Sequence, residues 1–236
     1  MMQTETISYV FHLAQGRTER IALNFDADSF LLQIDPALPK ESWIGLDFKK
    51  CAHCPLTAVS HPLCPFARAL GGFIHGFDTF YSYDRAVVEV VTAQRTIVAE
   101  RPLQDAMASI LGLIGATSGC PHLAFLRPMA RFHLPFASEQ ETLVRVFSLH
   151  LLGNYLRSDG DGAAGVGGLE AMYREVVQVN VGMAERIRAA FAKDAVVNAI
   201  VILDTFAQAV PFVVRDALKE LQPLFDTAPA EIPRPL

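Results

Sequence analysis

The four cysteines constrain the fold of this chain most, because three of them share one short stretch and none is left over. Cys51 and Cys54 form a C-x-x-C pair, Cys64 follows in the same stretch, and Cys120 comes much later. A C-x-x-C turn directs two thiolates at one ion, and four thiolates around an ion form the closed tetrahedral site of structural zinc. The spacing therefore predicts a zinc site of Cys51, Cys54, Cys64 and Cys120. Such a site requires a fold that brings Cys120 to the turn at residues 51–54, which we call the knuckle.

The neighbours of the cysteines also suit a ligand loop. Cys54, Cys64 and Cys120 are each followed by proline, which removes a backbone N–H donor and stiffens the chain at that point. Three histidines lie within three residues of a cysteine, and each is a candidate to replace one cysteine ligand: His53, His61 and His122. Histidines at such positions are more often exposed or outside the ligand set, so the four cysteines remain the preferred ligands.

The thiols allow other chemistry as well. Cys-Pro steps occur next to iron–sulfur ligands and four thiolates suit a cluster, although the spacing matches neither ferredoxin pattern. A c-type haem needs histidine directly after the C-x-x-C pair, and Pro55 stands there instead. Reactive redox thiols and buried cysteines without a ligand are the remaining alternatives to a metal site.

Composition and charge exclude several classes of protein. Hydrophobic residues make up 51% and charged residues 19% of the 236 residues, which is typical of a folded globular chain. The net charge is −5 and Lys49-Lys50 is the only adjacent basic pair, so a nucleic-acid partner is not expected. The apolar run at 195–203 is far shorter than the ~20 residues of a membrane span. No signal-peptide pattern opens the chain, so we expect a cytoplasmic protein without membrane association, whose thiols stay reduced.

The first half of the chain carries the patterns of β-strands. Alternating and β-branched segments predict two hairpins and one further strand: residues 7–13 with 18–25, residues 86–93 with 95–100, and residues 29–35. The apolar run at 43–48 is a strand-like segment that leads into the knuckle. Residues 66–77 have helical spacing that is weakened by glycines.

The second half is predicted to be mainly helical. A helix is expected at 102–119, with Pro102 near its start and Gly119 as its stop, and Ser138 with Glu141 fits a capping box. Further helices are expected at 142–157, 169–193, 194–210 and 212–225, with a kink or an end at Pro211, a glycine-rich loop at 158–168 and an irregular, proline-broken connection at 120–136. These elements predict one α+β domain over residues 1–236, strand-rich at 1–118 and mainly helical at 119–236.

Several motifs resemble those of a known family. The segments CxxCPL, HPLCPFA, SGCP and PMARFHLPF resemble a family of uncharacterised bacterial proteins that is described as a domain of unknown function. The resemblance covers most of the chain. It implies a shared site but supplies no activity and no catalytic residue.

The sequence thus predicts a metal-binding protein with a structural zinc site that acts as a binding or regulatory module. The first alternative is an iron–sulfur or thiol redox protein, and the second is a metal-dependent enzyme that uses His122 or His133. His133 is either a general base or a buried histidine bonded to a backbone carbonyl, and we prefer the latter. The apolar C-terminal helices suit a homodimer face and core packing equally well.

Overall fold

The computed structural model describes residues 3–38, 40–72, 74, 81–158, 168–191 and 195–225. Its elements follow in the order β1 (Thr4–His12), β2 (Thr18–Asp26), α1 (Pro65–Leu70), β3 (Arg85–Val91), β4 (Thr96–Pro102), α2 (Leu103–Thr117), α3 (Arg127–Arg131), α4 (Glu139–Arg157), α5 (Leu169–Ala190) and α6 (Ala195–Phe225). The predicted α+β class is confirmed, with a sheet in the N-terminal half and helices in the C-terminal half.

The four strands form one antiparallel sheet in the order β2-β1-β3-β4. β1 pairs with β2 along its whole length and with β3 on its other edge, while β4 pairs with β3. Both predicted hairpins are therefore confirmed. Successive side chains of a strand point to opposite faces, so one face of the sheet carries buried residues such as Tyr9, Phe11 and Val88.

The third strand predicted at residues 29–35 is wrong. The Asp26 carboxylate accepts hydrogen bonds from the backbone N–H and the hydroxyl of Ser29, at 2.8 and 2.7 Å, and thereby closes a tight turn. Phe30 then adopts a left-handed backbone with φ of 54° and stacks on Phe25. After this turn only a single bridge, from Phe25 to Leu32, continues the ladder.

The strand-like segment at 43–48 is also wrong in detail. Ser42–Ile44 forms one 3-10 turn and the following residues form further turns. The helix expected at 66–77 is present as α1, and residues 73 and 75–80 lie outside the described part of the chain. α1 begins directly after Cys64, with Pro65 at its first position, where a missing N–H costs nothing.

The long helices lie close to their predicted positions. α2 follows β4 without a loop, since β4 ends at Pro102 and α2 begins at Leu103. The backbone N–H of Leu103 donates to the carbonyl of Asp84 at 2.7 Å. The capping box is confirmed at α4: the Ser138 hydroxyl accepts from the Glu141 N–H, and the Glu141 carboxylate accepts from the Ser138 N–H. The helix expected to end or kink at Pro211 does not end there, since α6 continues to Phe225.

Two further predictions concern irregular segments of the helical half, and the structure describes one of these segments and little of the other. The connection predicted to be irregular at 120–136 contains a 3-10 turn at Ala124–Leu126 and the short helix α3. Most of the predicted loop at 158–168, namely residues 159–167, lies outside the described residues.

One cluster of buried side chains joins the sheet to the helices. Its members include Phe11 of β1, Ile110 of α2, Ile187 of α5 and Ile200 of α6, all fully buried. α2 packs against α6, and α6 packs along α5. Among the residues that the structure describes, no helix has both the length and the apolar character of a membrane span.

His133 lies at the junction of sheet and helices. Its Nε2 is 2.5 Å from the hydroxyl of Tyr9, which is also 3.0 Å from the hydroxyl of Ser109. The backbone-carbonyl partner that we preferred for His133 is therefore replaced by a tyrosine hydroxyl. Burial, together with the nearby Arg145 cation, lowers the pKa of His133 to about 3.

This depressed pKa makes the free energy of unfolding depend on pH. An unfolded histidine has a pKa of about 6.5, so below that pH the unfolded chain binds a proton that folded His133 does not bind. His133 should therefore reduce stability as the pH falls from about 6.5 towards 3, by up to about 1.4 kcal/mol per pH unit. We expect His133→Gln to flatten this dependence in urea unfolding at pH 7 and pH 5. Identical pH dependence in the variant and the wild type would contradict the assignment.

Candidate metal centre

A short antiparallel pairing places Cys64 beside the knuckle. Residues 44–46 run past residues 62–64, and the Cys64 N–H donates to the Ile44 carbonyl at 2.9 Å. An isolated bridge from Gly45 to Leu63 completes the pairing. This segment therefore fixes the position of the third cysteine relative to the chain that leads to the first two.

The knuckle is a closed turn. The Cys54 N–H donates to the Cys51 carbonyl at 3.0 Å, as in the turn expected of a C-x-x-C pair. Lys50 reaches over the following residues and donates from Nζ to the Leu56 carbonyl at 2.6 Å. The two thiols of the pair thus lie on a locally ordered loop.

The fourth cysteine reaches the same region at the end of α2. Gly119 adopts a left-handed backbone with φ of 90°, which turns the chain sharply after the helix. The Cys120 N–H then donates to the Ser118 hydroxyl at 3.2 Å. A Cβ at Gly119 would lie 4.0 Å from Pro65, the residue after Cys64, so these two cysteine-bearing segments are neighbours.

α5 forms the floor beneath the knuckle. A Cβ at Gly182 would lie 2.7 Å from the Cys51 sulfur, so only glycine leaves room for this thiol. One turn further along α5, Arg186 is 2% exposed and donates hydrogen bonds to the carbonyls of Trp43, Gly45 and Leu46. The helix therefore binds the chain that leads into the knuckle.

Burial and the neighbouring thiols raise the pKa of two of the cysteines, Cys51 and Cys120. Burial raises the pKa of Cys51 to about 11, and the neighbouring Cys64 and Cys54 thiols raise it further, while Arg186 lowers it. Burial also raises the pKa of Cys120 to about 12, again with contributions from Cys64 and Cys51. At neutral pH Cys51 and Cys120 are protonated unless a bound cation stabilises the thiolate.

The sulfur atoms are not arranged as a closed zinc site in this structure. Four thiolates about 2.3 Å from one tetrahedral zinc ion would lie about 3.8 Å from one another. In the described part of the chain no three sulfur atoms lie within 4.8 Å of one another. The fold brings the four thiols into one neighbourhood without bringing any three of these described sulfur atoms to ligand distance.

A different group of three side chains, beside the thiols, does bring its ligand atoms within 4.8 Å of one another. The ligand atoms of His53, His122 and Glu175 all lie within 4.8 Å of one another. His53 belongs to the knuckle, His122 follows Cys120, and Glu175 is on α5. One oxygen of Glu175 lies 3.3 Å from Nε2 of His53 and 3.4 Å from Nδ1 of His122. We call these three residues the imidazole–carboxylate cluster.

The protonation of His122 follows from its hydrogen bonds. Its Nε2 lies 3.1 Å from the His53 carbonyl oxygen, which can only accept, so Nε2 carries a proton. In a neutral ring the lone pair of Nδ1 then faces the Glu175 carboxylate, and two acceptors face each other with no proton between them. Either a second proton on the ring or a metal cation between the two atoms resolves this repulsion.

The surroundings of His53 also suit a metal ligand. Both of its ring nitrogens are buried without a hydrogen bond, although Nε2 lies near Glu175. Burial, followed by the adjacent His122, lowers the pKa of His53 and favours the neutral ring. A neutral imidazole is the form that binds metal ions.

Two other predicted histidines lie elsewhere. His61 is exposed and its Nδ1 lies 3.0 Å from the hydroxyl of Ser60, outside the imidazole–carboxylate cluster. His133 is bonded to Tyr9 and is not part of the cluster either. Of the histidines considered from the sequence, the structure therefore brings together His53 and His122.

Sequence reasoning missed the three contributions of α5. Glu175, Gly182 and Arg186 are separated by seven and four residues, a spacing that places them on one face of a helix. A glycine and an arginine in the buried stripe of an amphipathic helix are unusual there. That pattern was the one available signal that this face meets something other than an apolar core.

The chain matches, over residues 7–226, a family model whose description is "Domain of unknown function (DUF6901)", and it belongs to that family. The expected membership in a family described as a domain of unknown function is thereby confirmed. The comparisons with curated proteins and with solved structures give no match.

The close approach at Gly182 predicts a large effect of one methyl group. Gly182→Ala forces the new Cβ against the Cys51 sulfur, so we expect the free energy of unfolding to fall by about 1–3 kcal/mol, the usual cost of overpacking. Gly153→Ala on α4 is the matched control, because the atoms nearest to its Cβ belong to the flexible end of Arg157, the closest at 3.4 Å. The control should be neutral or stabilising by up to about 1 kcal/mol. Equal stability of both variants in thermal unfolding would contradict the close packing of the knuckle on α5.

Proposed function

We propose that this chain is a metal-binding protein, with zinc as the preferred ion, whose centre lies where the knuckle and the Cys120–His122 segment meet α5. The proposal rests on one observation above all. The Glu175 oxygen lies 3.3 Å from one imidazole nitrogen and 3.4 Å from the other. Ligand atoms about 2.1 Å from a tetrahedral ion lie about 3.4 Å apart, so both contacts of Glu175 have the spacing of ligands on one ion. The two imidazole nitrogens lie within 4.8 Å of each other.

Two imidazoles and one carboxylate leave coordination positions open. Such sets occur in catalytic zinc sites, where water or substrate takes the fourth position, and in non-haem iron sites. The side chain of Glu175 is 42% exposed, so solvent and small molecules have access to an ion bound there. This supports a metal centre that exchanges a ligand, as in the metal-dependent enzyme that uses His122, more than a closed structural site.

A four-thiolate site of Cys51, Cys54, Cys64 and Cys120 is the second candidate. Two observations favour it: Gly182 leaves room for the Cys51 sulfur, and the buried Arg186 cation lies close enough to favour thiolates. To bind one zinc ion, the sulfur atoms would have to move to about 3.8 Å from one another. An iron–sulfur cluster distributes its thiolates over several iron atoms and accommodates a wider spacing.

A role as a reactive redox thiol receives less support. Reactive cysteines have lowered pKa values in electropositive, accessible surroundings. Burial raises the pKa of Cys51 and Cys120, which makes them poor nucleophiles without a metal. A regulatory role, a cytoplasmic location, the lack of a nucleic-acid partner and a homodimer through the C-terminal helices remain predictions from the sequence.

The test is the metal content of four proteins purified under nitrogen without added metal or chelator, with an absorbance spectrum of each. Glu175→Gln removes the carboxylate of the cluster, and Cys64→Ser removes one thiol. Glu170→Gln is the matched control, because Glu170 is similarly exposed on α5 and, among the described residues, forms an ion pair with Arg174. We expect Glu175→Gln to weaken zinc binding beyond the roughly 10- to 100-fold cost of losing an outer hydrogen-bond partner of a ligand.

The outcomes separate the candidates. Loss of zinc from Glu175→Gln, with zinc retained in Cys64→Ser and Glu170→Gln, supports the imidazole–carboxylate centre. Loss of metal from Cys64→Ser alone supports the four-thiolate site, and iron with sulfide and visible absorbance identifies it as a cluster. A wild-type protein that neither contains nor binds metal would overturn the proposal.

A further inference from the structure

A cavity of about 640 Å³ lies between α2, α4, α5 and α6, away from the imidazole–carboxylate cluster. Its volume falls within the roughly 300–1,000 Å³ of sites that bind small molecules. None of His53, His122 and Glu175 lines it. The cavity is therefore a site separate from the proposed metal centre.

The walls of the cavity are mainly apolar. Leu111 and Leu113 of α2, Val176 of α5, and Leu203 and Phe206 of α6 line it. Such walls favour a hydrocarbon chain or ring over a polar metabolite, because apolar surface leaves water on binding.

Four charged side chains line the cavity: Arg101 and Glu139 are exposed, whereas Asp105 and Arg145 are half-buried. The Arg145 guanidinium is half-buried and donates from one nitrogen to the carbonyls of Met129 and Phe132, at 2.7 and 2.8 Å. Among the described residues no carboxylate lies within 4.0 Å of it. A guanidinium has five N–H donors in a planar fork, so the remaining donors of Arg145 suit a carboxylate.

A second polar group in the cavity lacks a partner. Asn180 is 3% exposed, lines the cavity, and its Nδ2 is buried without a hydrogen bond. A buried donor without an acceptor is destabilising, so a ligand that offers an oxygen to this amide forms a hydrogen bond that the described residues do not provide. Tyr173 is buried and lines the same cavity.

We propose that the cavity binds a small amphipathic carboxylate. Its apolar body lies against the walls formed by α2 and α6, and its oxygen atoms accept hydrogen bonds from Arg145 and Asn180. Arg145 is a donor only, and the unpartnered atom of Asn180 is a donor nitrogen, so the half-buried end of the cavity favours a ligand with acceptor oxygens.

The experiment titrates decanoate and decan-1-ol into the full-length protein by calorimetry, below the concentration at which decanoate forms micelles. The two probes share one apolar chain and differ in the charged head group. We expect decanoate to bind the wild type more tightly than decan-1-ol. Arg145→Met should weaken decanoate binding about tenfold or more, the scale of a buried charged hydrogen bond, and leave decan-1-ol unchanged.

Arg188→Met is the matched control, because it removes the same charge from an exposed position of α5 that does not line the cavity. If Arg145→Met fails to fold, Asn180→Leu is the second test variant, because it removes the amide donor and keeps a similar side-chain volume. We expect Asn180→Leu to weaken decanoate binding several-fold. The proposal is overturned if decanoate does not bind, if it binds no tighter than decan-1-ol, or if it binds the folded Arg145→Met or Asn180→Leu variant as tightly as the wild type. The metal content of the Glu175→Gln variant has no bearing on these outcomes.

Discussion

The buried guanidinium of Arg186 is the contact on which the candidate metal centre depends. It donates to the carbonyls of Trp43, Gly45 and Leu46, in the segment that leads to the knuckle, and thereby ties this segment to α5. An isolated buried cation is costly, and carbonyl dipoles offset only part of that cost. Cys51, Cys54 and Cys64 lie close enough to interact electrostatically with this cation, so the packing of the knuckle and the burial of Arg186 are coupled. The same helix carries Glu175, which is therefore held at a fixed distance from the knuckle.

The local parts of this fold follow from the sequence because they depend on neighbouring residues. The Ser138–Glu141 capping box satisfies free N–H groups within one turn, and both hairpins are specified by alternation over a few residues. The four cysteines likewise indicated a shared neighbourhood by their number and their spacing. The prediction failed at residues 29–35, where the hydrogen bonds of the Asp26 side chain to Ser29 turn the chain before a strand can form.

The composition of the candidate site depends on contacts between distant parts of the chain, and these cannot be derived from spacing alone. Glu175 joins His53 and His122 only because α5 crosses beneath both segments. The room that Gly182 leaves for Cys51 is equally a property of the packed helix. Histidines beside cysteines are candidates from the sequence, but the carboxylate that lies beside them is far along the chain. In the described part of the chain, tertiary packing brings two imidazoles and a carboxylate, and no three thiols, to within 4.8 Å of one another.

X-ray absorption spectroscopy at the zinc edge of the purified wild-type protein tests the central claim most directly. Nitrogen and oxygen ligands lie about 2.0–2.1 Å from zinc, whereas thiolate sulfur lies at about 2.3 Å, so the two ligand sets give separable distances. An ion held by His53, His122 and Glu175 predicts scattering at the shorter distance, with the signature of imidazole rings. A spectrum with sulfur alone at the longer distance, or no zinc edge at all, would contradict the account.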